Sequence, residues 1–239
     1  MGLPILAIFL IQTMSTFAIG DIHGCLTALK SLYKAVGISS DDTLIFLGDY
    51  VDRGPHSAQV IDWILERDDR NAFALRGNHE VMMMEFCRSK APSNPHTENW
   101  LRYGGAETLA SYDINPSQPD FQLIPANHWE FLDRTLPYHE TKDFIFVHAG
   151  LKPGLALSMQ LPRALFWQKI VDEPQSYGDG RTVICGHTAQ RSGEIANFGH
   201  TICIDTCAYG GQWLTCLEVE SGTYWQANQE GTVREGKLG

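Results

Sequence analysis

Five short strings in this chain of 239 residues follow, directly or in one case after Arg76, on a run of apolar and β-branched residues. They are GDIHG at 20–24, GDYVDRG at 48–54, GNHE at 77–80, HAG at 148–150 and GH at 186–187. The preceding runs, Thr16–Ile19, Thr43–Leu47, Asn71–Leu75, Phe144–Val147 and Thr182–Cys185, have the length and composition of buried strands. Between the first three lie helical spacings: Leu26, Leu29, Leu32, Tyr33 and Val36 share one face, as do Val60, Ile61, Ile64 and Leu65. Strand followed by helix, repeated, predicts βαβ units and an α/β fold. The strings then sit at strand carboxyl ends, where open α/β sheets place their sites.

Each string sets a metal-ligating side chain beside glycine. Asp21, His23, Asp49, Asn78, His148 and His187 make a mixed oxygen and nitrogen set without thiolate, which suits Mn, Fe or Zn in a hydrolytic site. Six ligands exceed the three that one catalytic zinc usually takes from its protein, so two ions are expected. Asp21 and His23 alternate with Ile22, and a strand continuing through them turns both side chains to one face.

In this order the strings resemble the phosphoprotein phosphatase (PPP) family of metallophosphoesterases, in particular its compact bacterial and phage-type serine/threonine phosphatases, from about Thr16 to Val219. The resemblance implies a calcineurin-like αββα sandwich, two central mixed sheets flanked by helices, as one catalytic domain over 14–239. It also implies two divalent ions, Mn first, with Fe, Zn or Mg as other fits. Asp21 and His23 would hold the first ion, Asp49 would bridge both, and Asn78, His148 and His187 would complete the second. A bridging water or hydroxide would attack phosphorus directly, since coordination lowers the pKa of water from about 15.7 to about 7. His79 is the expected general acid toward the departing alkoxide, with Asp52 orienting and charging it. Arg53 would take phosphate oxygens with its planar fork, beside Asn78.

The family commonly carries a second phosphate-binding arginine two residues after a tryptophan, where this chain reads Phe166-Trp167-Gln168-Lys169. Lys169 or Arg163 is left for that contact. Tyr209, in IDTCAYGG, falls where relatives present a side chain near the site. The expected activity is phosphomonoester hydrolysis on phosphoserine or phosphothreonine in a phosphoprotein or phosphopeptide. Symmetrical dinucleoside polyphosphate hydrolases resemble the chain at GDxHG but tend to lack the second Asp of GDxVDRG and to carry GNHD. A silent binding module would have lost a ligand, and all six are present.

From Arg88 to about Pro137 the strand-helix rhythm breaks, and NWLRYGGAETLASY resembles the helical insertion of the bacterial subgroup, packed beside the site mouth. After His187, alternation over Glu194–Asn197, Thr201–Asp205 and Trp213–Val219, with Gly210-Gly211 as a turn, predicts a second, antiparallel sheet. A net charge of -10 argues against general nucleic-acid or anionic-membrane binding, so phosphate must be drawn locally. Six cysteines without paired metal spacing read as buried and reduced, which implies a cytoplasmic protein. The apolar opening, Leu3 to Ile11, lacks a leading Lys or Arg and is too short for a bilayer, so 1–13 reads as an extension before the domain.

Overall fold

The computed structural model describes residues 14–67, 71–88 and 99–239; the expected extension 1–13 and part of the insertion lie outside them. The first sheet takes β1 (Thr16–Ile19), β2 (Thr43–Phe46) and β3 (Ala72–Ala74) in parallel, then three strands from the chain's end, β9 (Leu214–Glu218), β10 (Thr223–Ala227) and β11 (Val233–Lys237). Its order is β11-β10-β9-β1-β2-β3, with β9 antiparallel to β1. The second sheet holds β4 (Tyr138–Glu140), β5 (Phe144–Val147), β6 (Thr182–Cys185), β7 (Ala196–Asn197) and β8 (Thr201–Cys203), in the order β4-β5-β6-β8-β7.

Strand alternation decides how these sheets stack. Ala18, Ile45 and Leu217 on the first sheet meet Phe146, Ile184 and Ile202 on the second in one shared apolar cluster. Their sequence neighbours point the other way: Phe17, Ile19, Leu44 and Phe46 pack with Leu29 and Leu32 of the helix Leu26–Val36. On the far side Ile145, Val147 and Val183 meet Leu165 and Phe166 of the helix Pro162–Trp167. The central strands are covered on both faces, so they read as continuous apolar runs. Each fully buried leucine here contributes about 1.5–3 kcal/mol. The result is the expected αββα sandwich of two mixed sheets.

The prediction of a separate antiparallel sheet after His187 is overturned. β8 runs parallel to β6 and completes the second sheet with β7, whereas β9 crosses to lie beside β1 in the first. Gly210 and Gly211 join strands of different sheets and make no hairpin. The insertion is helical where described: Trp100–Tyr103, Gly105–Ser111, Phe121–Leu123 and Ala126–Arg134. Trp100, fully buried, packs on Phe86 of the helix Asn78–Arg88 with ring centroids 5.1 Å apart.

Candidate metal centre

The turns that leave the strands carry backbone strain. His23, Asp49, Asp52, Arg53 and His187 have φ of 46°, 50°, 73°, 71° and 63°, values that cost a non-glycine residue on the order of 1–3 kcal/mol each. Interlaced backbone bonds hold them there: Ile22 and His23 both donate to Asp49 O (3.0 and 2.7 Å), and Gly54 donates to His23 O at 3.0 Å. β1 ends at Ile19, so a turn and not a continuing strand places Asp21 and His23, contrary to the alternation predicted. Gly77 is required by close approach, because a Cβ there would lie 2.0 Å from Asp49 Oδ1.

Asp49 is central. His23 Nε2 lies 3.4 Å from its Oδ2 and His148 Nε2 lies 3.5 Å from its Oδ1, so the two carboxylate oxygens face two different imidazoles. Donor atoms of His23, Asp49 and His79 fall within 4.8 Å of one another, as do those of Asp49, His148 and His187. Asn78 Oδ1 joins the second group, 3.0 Å from His148 Nε2 and 2.8 Å from His187 Nδ1. Asp21 stands outside both groups; its carboxylate accepts the His187 backbone N–H at 3.0 Å.

The protonation pattern fits cation binding. His23 Nδ1–H donates to Val51 O at 2.8 Å and His148 Nδ1–H to Leu47 O at 2.9 Å, which leaves each Nε2 its lone pair. Burial holds the His23 ring well below the ordinary imidazole pKa and lowers that of His148, and burial with neighbouring His148 takes His187 down to about 3. Burial opposes ionisation of Asp49, yet His148, His79, His23 and His187 keep its carboxyl far below the usual range. His187 Nε2 is buried without any partner among the described residues. His187 Nδ1, Asn78 Oδ1, His148 Nε2 and the Asp49 carboxylate converge as an oxygen and nitrogen donor set, and a divalent ion fits that chemistry.

His79 and Asp52 form a buried pair, with Nδ1–H donating to Asp52 Oδ2 at 2.5 Å. Burial opposes a charged ring, but the Asp49 and Asp52 carboxylates push the His79 pKa above its ordinary value. Sequence reading missed what holds Asp52. Trp100 Nε1–H donates to its Oδ2 at 2.8 Å and Thr108 Oγ1–H to its Oδ1 at 2.7 Å, both from the insertion. Gly104 packs so closely that a Cβ would lie 2.3 Å from Arg53 N. The Arg53 guanidinium reaches Nε2 of both His23 and His79 at 3.1 Å and stacks 4.2 Å from the centre of the Tyr209 ring.

Glu80, the last residue of GNHE, is wholly buried. It accepts N–H from Asp49 (2.9 Å), Tyr50 (2.8 Å) and Gly77 (2.8 Å), tying GDYVDRG to GNHE. Burial and the Asp49 charge push its carboxyl up to about 8, while the backbone donors pull the other way. Glu80→Gln turns an amide NH2 toward backbone donors whichever way it is flipped. We expect a loss of about 1–3 kcal/mol in urea unfolding; unchanged stability would mean that the loops hold each other without this carboxylate.

The centre opens into a cleft of about 1330 Å³ lined by Asp49, Arg53, Asn78, His79, His187 and Tyr209. Lys169 and Arg163 both line it, so both alternatives for the second phosphate contact stand at the cleft. All six cysteines are free thiols, five of them buried. Among the described residues no helix is long and apolar enough to cross a membrane.

Residues 14–210 match the model of the calcineurin-like phosphoesterases. The bis(5'-nucleosyl)-tetraphosphatase PrpE (asymmetrical) of Bacillus mycoides strain KBAB4 is 28% identical over 226 residues, covering 83% of this chain and 88% of its own. A solved structure provisionally described as a diadenosine tetraphosphatase superposes with a TM-score of 0.62 at 18% identity over 95% of each chain. The cold-active protein-tyrosine phosphatase of a psychrophilic Shewanella superposes with a TM-score of 0.63 at 17% identity, over 93% of this chain and 80% of its own. Identities that low speak to the fold alone, whereas the family match runs from the residues ahead of β1 to just past Tyr209. The chain therefore belongs to the calcineurin-like phosphoesterases, metal-dependent hydrolases of phosphate esters.

Proposed function

We propose that this phosphoesterase removes phosphate from serine and threonine side chains of polypeptides. The observation that carries the reading is the buried His79–Asp52 pair. A serine or threonine alkoxide is a poor leaving group unless a proton reaches it at departure, whereas a nucleotide phosphate leaves as a stable anion. A proton held on His79 and oriented by Asp52 serves the first substrate and is superfluous for the second.

In this reading Asp21, His23, Asp49, Asn78, His148 and His187 hold two divalent ions, Mn first. Such ions supply positive charge at the phosphoryl group and acidify a water for attack. Arg53, backed by the Tyr209 ring, takes phosphate oxygens together with Asn78 and with Lys169 or Arg163. His79 presents Nε2 to the departing oxygen, and Asp52 keeps the ring from turning. Asp21 serves from its place beside His187, where burial, then Asp205 and Asp49, raise its carboxyl pKa.

A second reading, asymmetrical cleavage of dinucleoside tetraphosphates, draws support from the likeness to PrpE. The sequence alone suggests symmetrical cleavage as the dinucleotide alternative. Metal-stripped protein reconstituted with Mn, Mg, Fe or Zn, then offered phosphoserine and phosphothreonine peptides beside diadenosine tetraphosphate, separates the two. We expect peptide kcat/KM to exceed that of the dinucleotide by at least about tenfold, in keeping with general-acid contributions of 10²–10⁴. Faster release of ATP and AMP from the dinucleotide would install the second reading instead.

A further inference from the structure

The cleft has a charge unlike that of the molecule. In a chain of net charge -10, five cations line it, Arg53, Lys152, Arg163, Lys169 and Arg191, against one carboxylate, Asp49, already committed to the centre. Elsewhere several arginines are neutralised by carboxylates: Arg88 pairs with Asp133, Arg181 with Asp179 and Glu140, and Arg234 with Glu194. Among the described residues Lys152, Arg163 and Arg191 pair with no carboxylate, and all three are exposed. Asp172 and Glu173 line a neighbouring cavity of about 300 Å³ and not the cleft.

The loops under two of these cations are fixed. Buried Gln160 accepts the Lys152 N–H at 2.8 Å and returns its amide to Lys152 O at 2.9 Å and Leu155 O at 2.8 Å. The Arg191 loop is anchored by Gln190 N–H to Asp205 O at 2.8 Å and closed by Gly193 N–H to Gln190 O at 2.9 Å. With the backbone already fixed, an arriving anion orders only the cationic side chains and not the loops that carry them. Leu161 and Val171, 63% and 87% exposed, stand on the same rim. A lone phosphoryl group engages the centre, Arg53 and one of Lys169 or Arg163, which leaves the remaining cations unused, and a cleft this size admits much more than one phosphorylated side chain.

We propose that Lys152, Arg163 and Arg191 form an anion-binding ledge that selects phosphorylated segments with acidic side chains beside the phosphoresidue. This rests on the reading of the protein as a phosphatase of serine and threonine side chains. The ledge acts through charge complementarity, steering acidic segments in and keeping basic ones out. Arg163 can serve either here or at the scissile phosphate, so the decisive variants leave it intact.

The test compares three phosphoserine peptides, flanked by Glu, by Gln and by Lys, and an aryl phosphate, on the metal-loaded wild type and on Lys152→Glu/Arg191→Glu. For the wild type we expect the lowest KM on the Glu peptide, with an advantage that fades as salt rises. In the double variant the Glu-peptide KM should rise about tenfold and the Lys-peptide KM should fall, with kcat little changed. Unaltered aryl phosphate turnover shows that the variant is folded and its centre intact. Wild-type indifference to the flanks, or an unchanged Glu-peptide KM in the variant, overturns the ledge while the phosphatase reading stands. Failure to cleave any peptide while aryl phosphate is turned over overturns both. With diadenosine tetraphosphate offered to both proteins alongside, a KM rise in the variant confined to the dinucleotide overturns the acidic-peptide ledge in favour of one that reads polyphosphate.

Discussion

His79→Asn slows hydrolysis of phosphoserine peptides by about 10²–10⁴-fold, the usual contribution of a general acid, yet barely slows activated aryl phosphates. The selectivity follows from the leaving group, because a nitrophenolate departs without a proton and an alkoxide does not. Asp52→Asn shows the same pattern in weaker form, since His79 stays present but is less well held and less readily protonated. Trp100→Phe, which keeps the aromatic packing and removes only the N–H to Asp52 Oδ2, should be milder again. Turnover measured across a series of leaving groups, with metal content measured alongside, decides the matter. Equal losses along the series with ions retained would assign His79 to positioning phosphate and place the acid elsewhere.

Asp49→Asn should lower turnover of every substrate, aryl phosphates included, on the order of 10³-fold, since charge stabilisation by bound ions is worth several kcal/mol. Its two oxygens face His23 and His148 separately, so one substitution weakens both halves of the centre. Asp21→Asn should be less damaging, as Asp21 lies outside both close groups of donor atoms. Elemental analysis of the purified variants provides a readout independent of rate, with more ion lost from Asp49→Asn than from Asp21→Asn. Two ions retained at near-normal turnover in Asp49→Asn would remove Asp49 from its bridging role.

The strand ends were legible because their chemistry is local. β1, β5 and β6 run over the residues expected, each ending at a motif; after β1 and β6 a Cβ on Gly20 or Gly186 would lie 2.5 Å from Ile204 O or 2.0 Å from Asp21 Oδ1. Partnership between strands was not legible: alternation in Thr201–Cys203 and Leu214–Glu218 predicts a covered face but not which neighbour covers it. Chain reversal through Gly210 and Gly211 then sends one strand to each sheet. β10 and β11 passed unnoticed, as no motif follows them. Asp49, His148 and His187 meet as the motifs suggest. The residues that hold Asp52 were invisible, because Trp100 and Thr108 lie 48 and 56 positions away on a segment read as packing beside the site mouth. Lys152 and Arg191 escaped for a different reason: a single cation in a loop carries no pattern until the fold gathers several.

The insertion's hold on Asp52 limits how this enzyme can be re-engineered. A segment that decorates the mouth of a site looks like an exchangeable cassette, to be grafted from another phosphatase when a new substrate is wanted. Here the graft would carry away the indole and the hydroxyl that fix the carboxylate behind His79. A chimera replaced over 99–111 would keep its metal ligands and still clear activated test substrates, so a chromogenic screen would score it as a success. On phosphoserine it would fail, which makes the leaving group used for selection as consequential as the library itself.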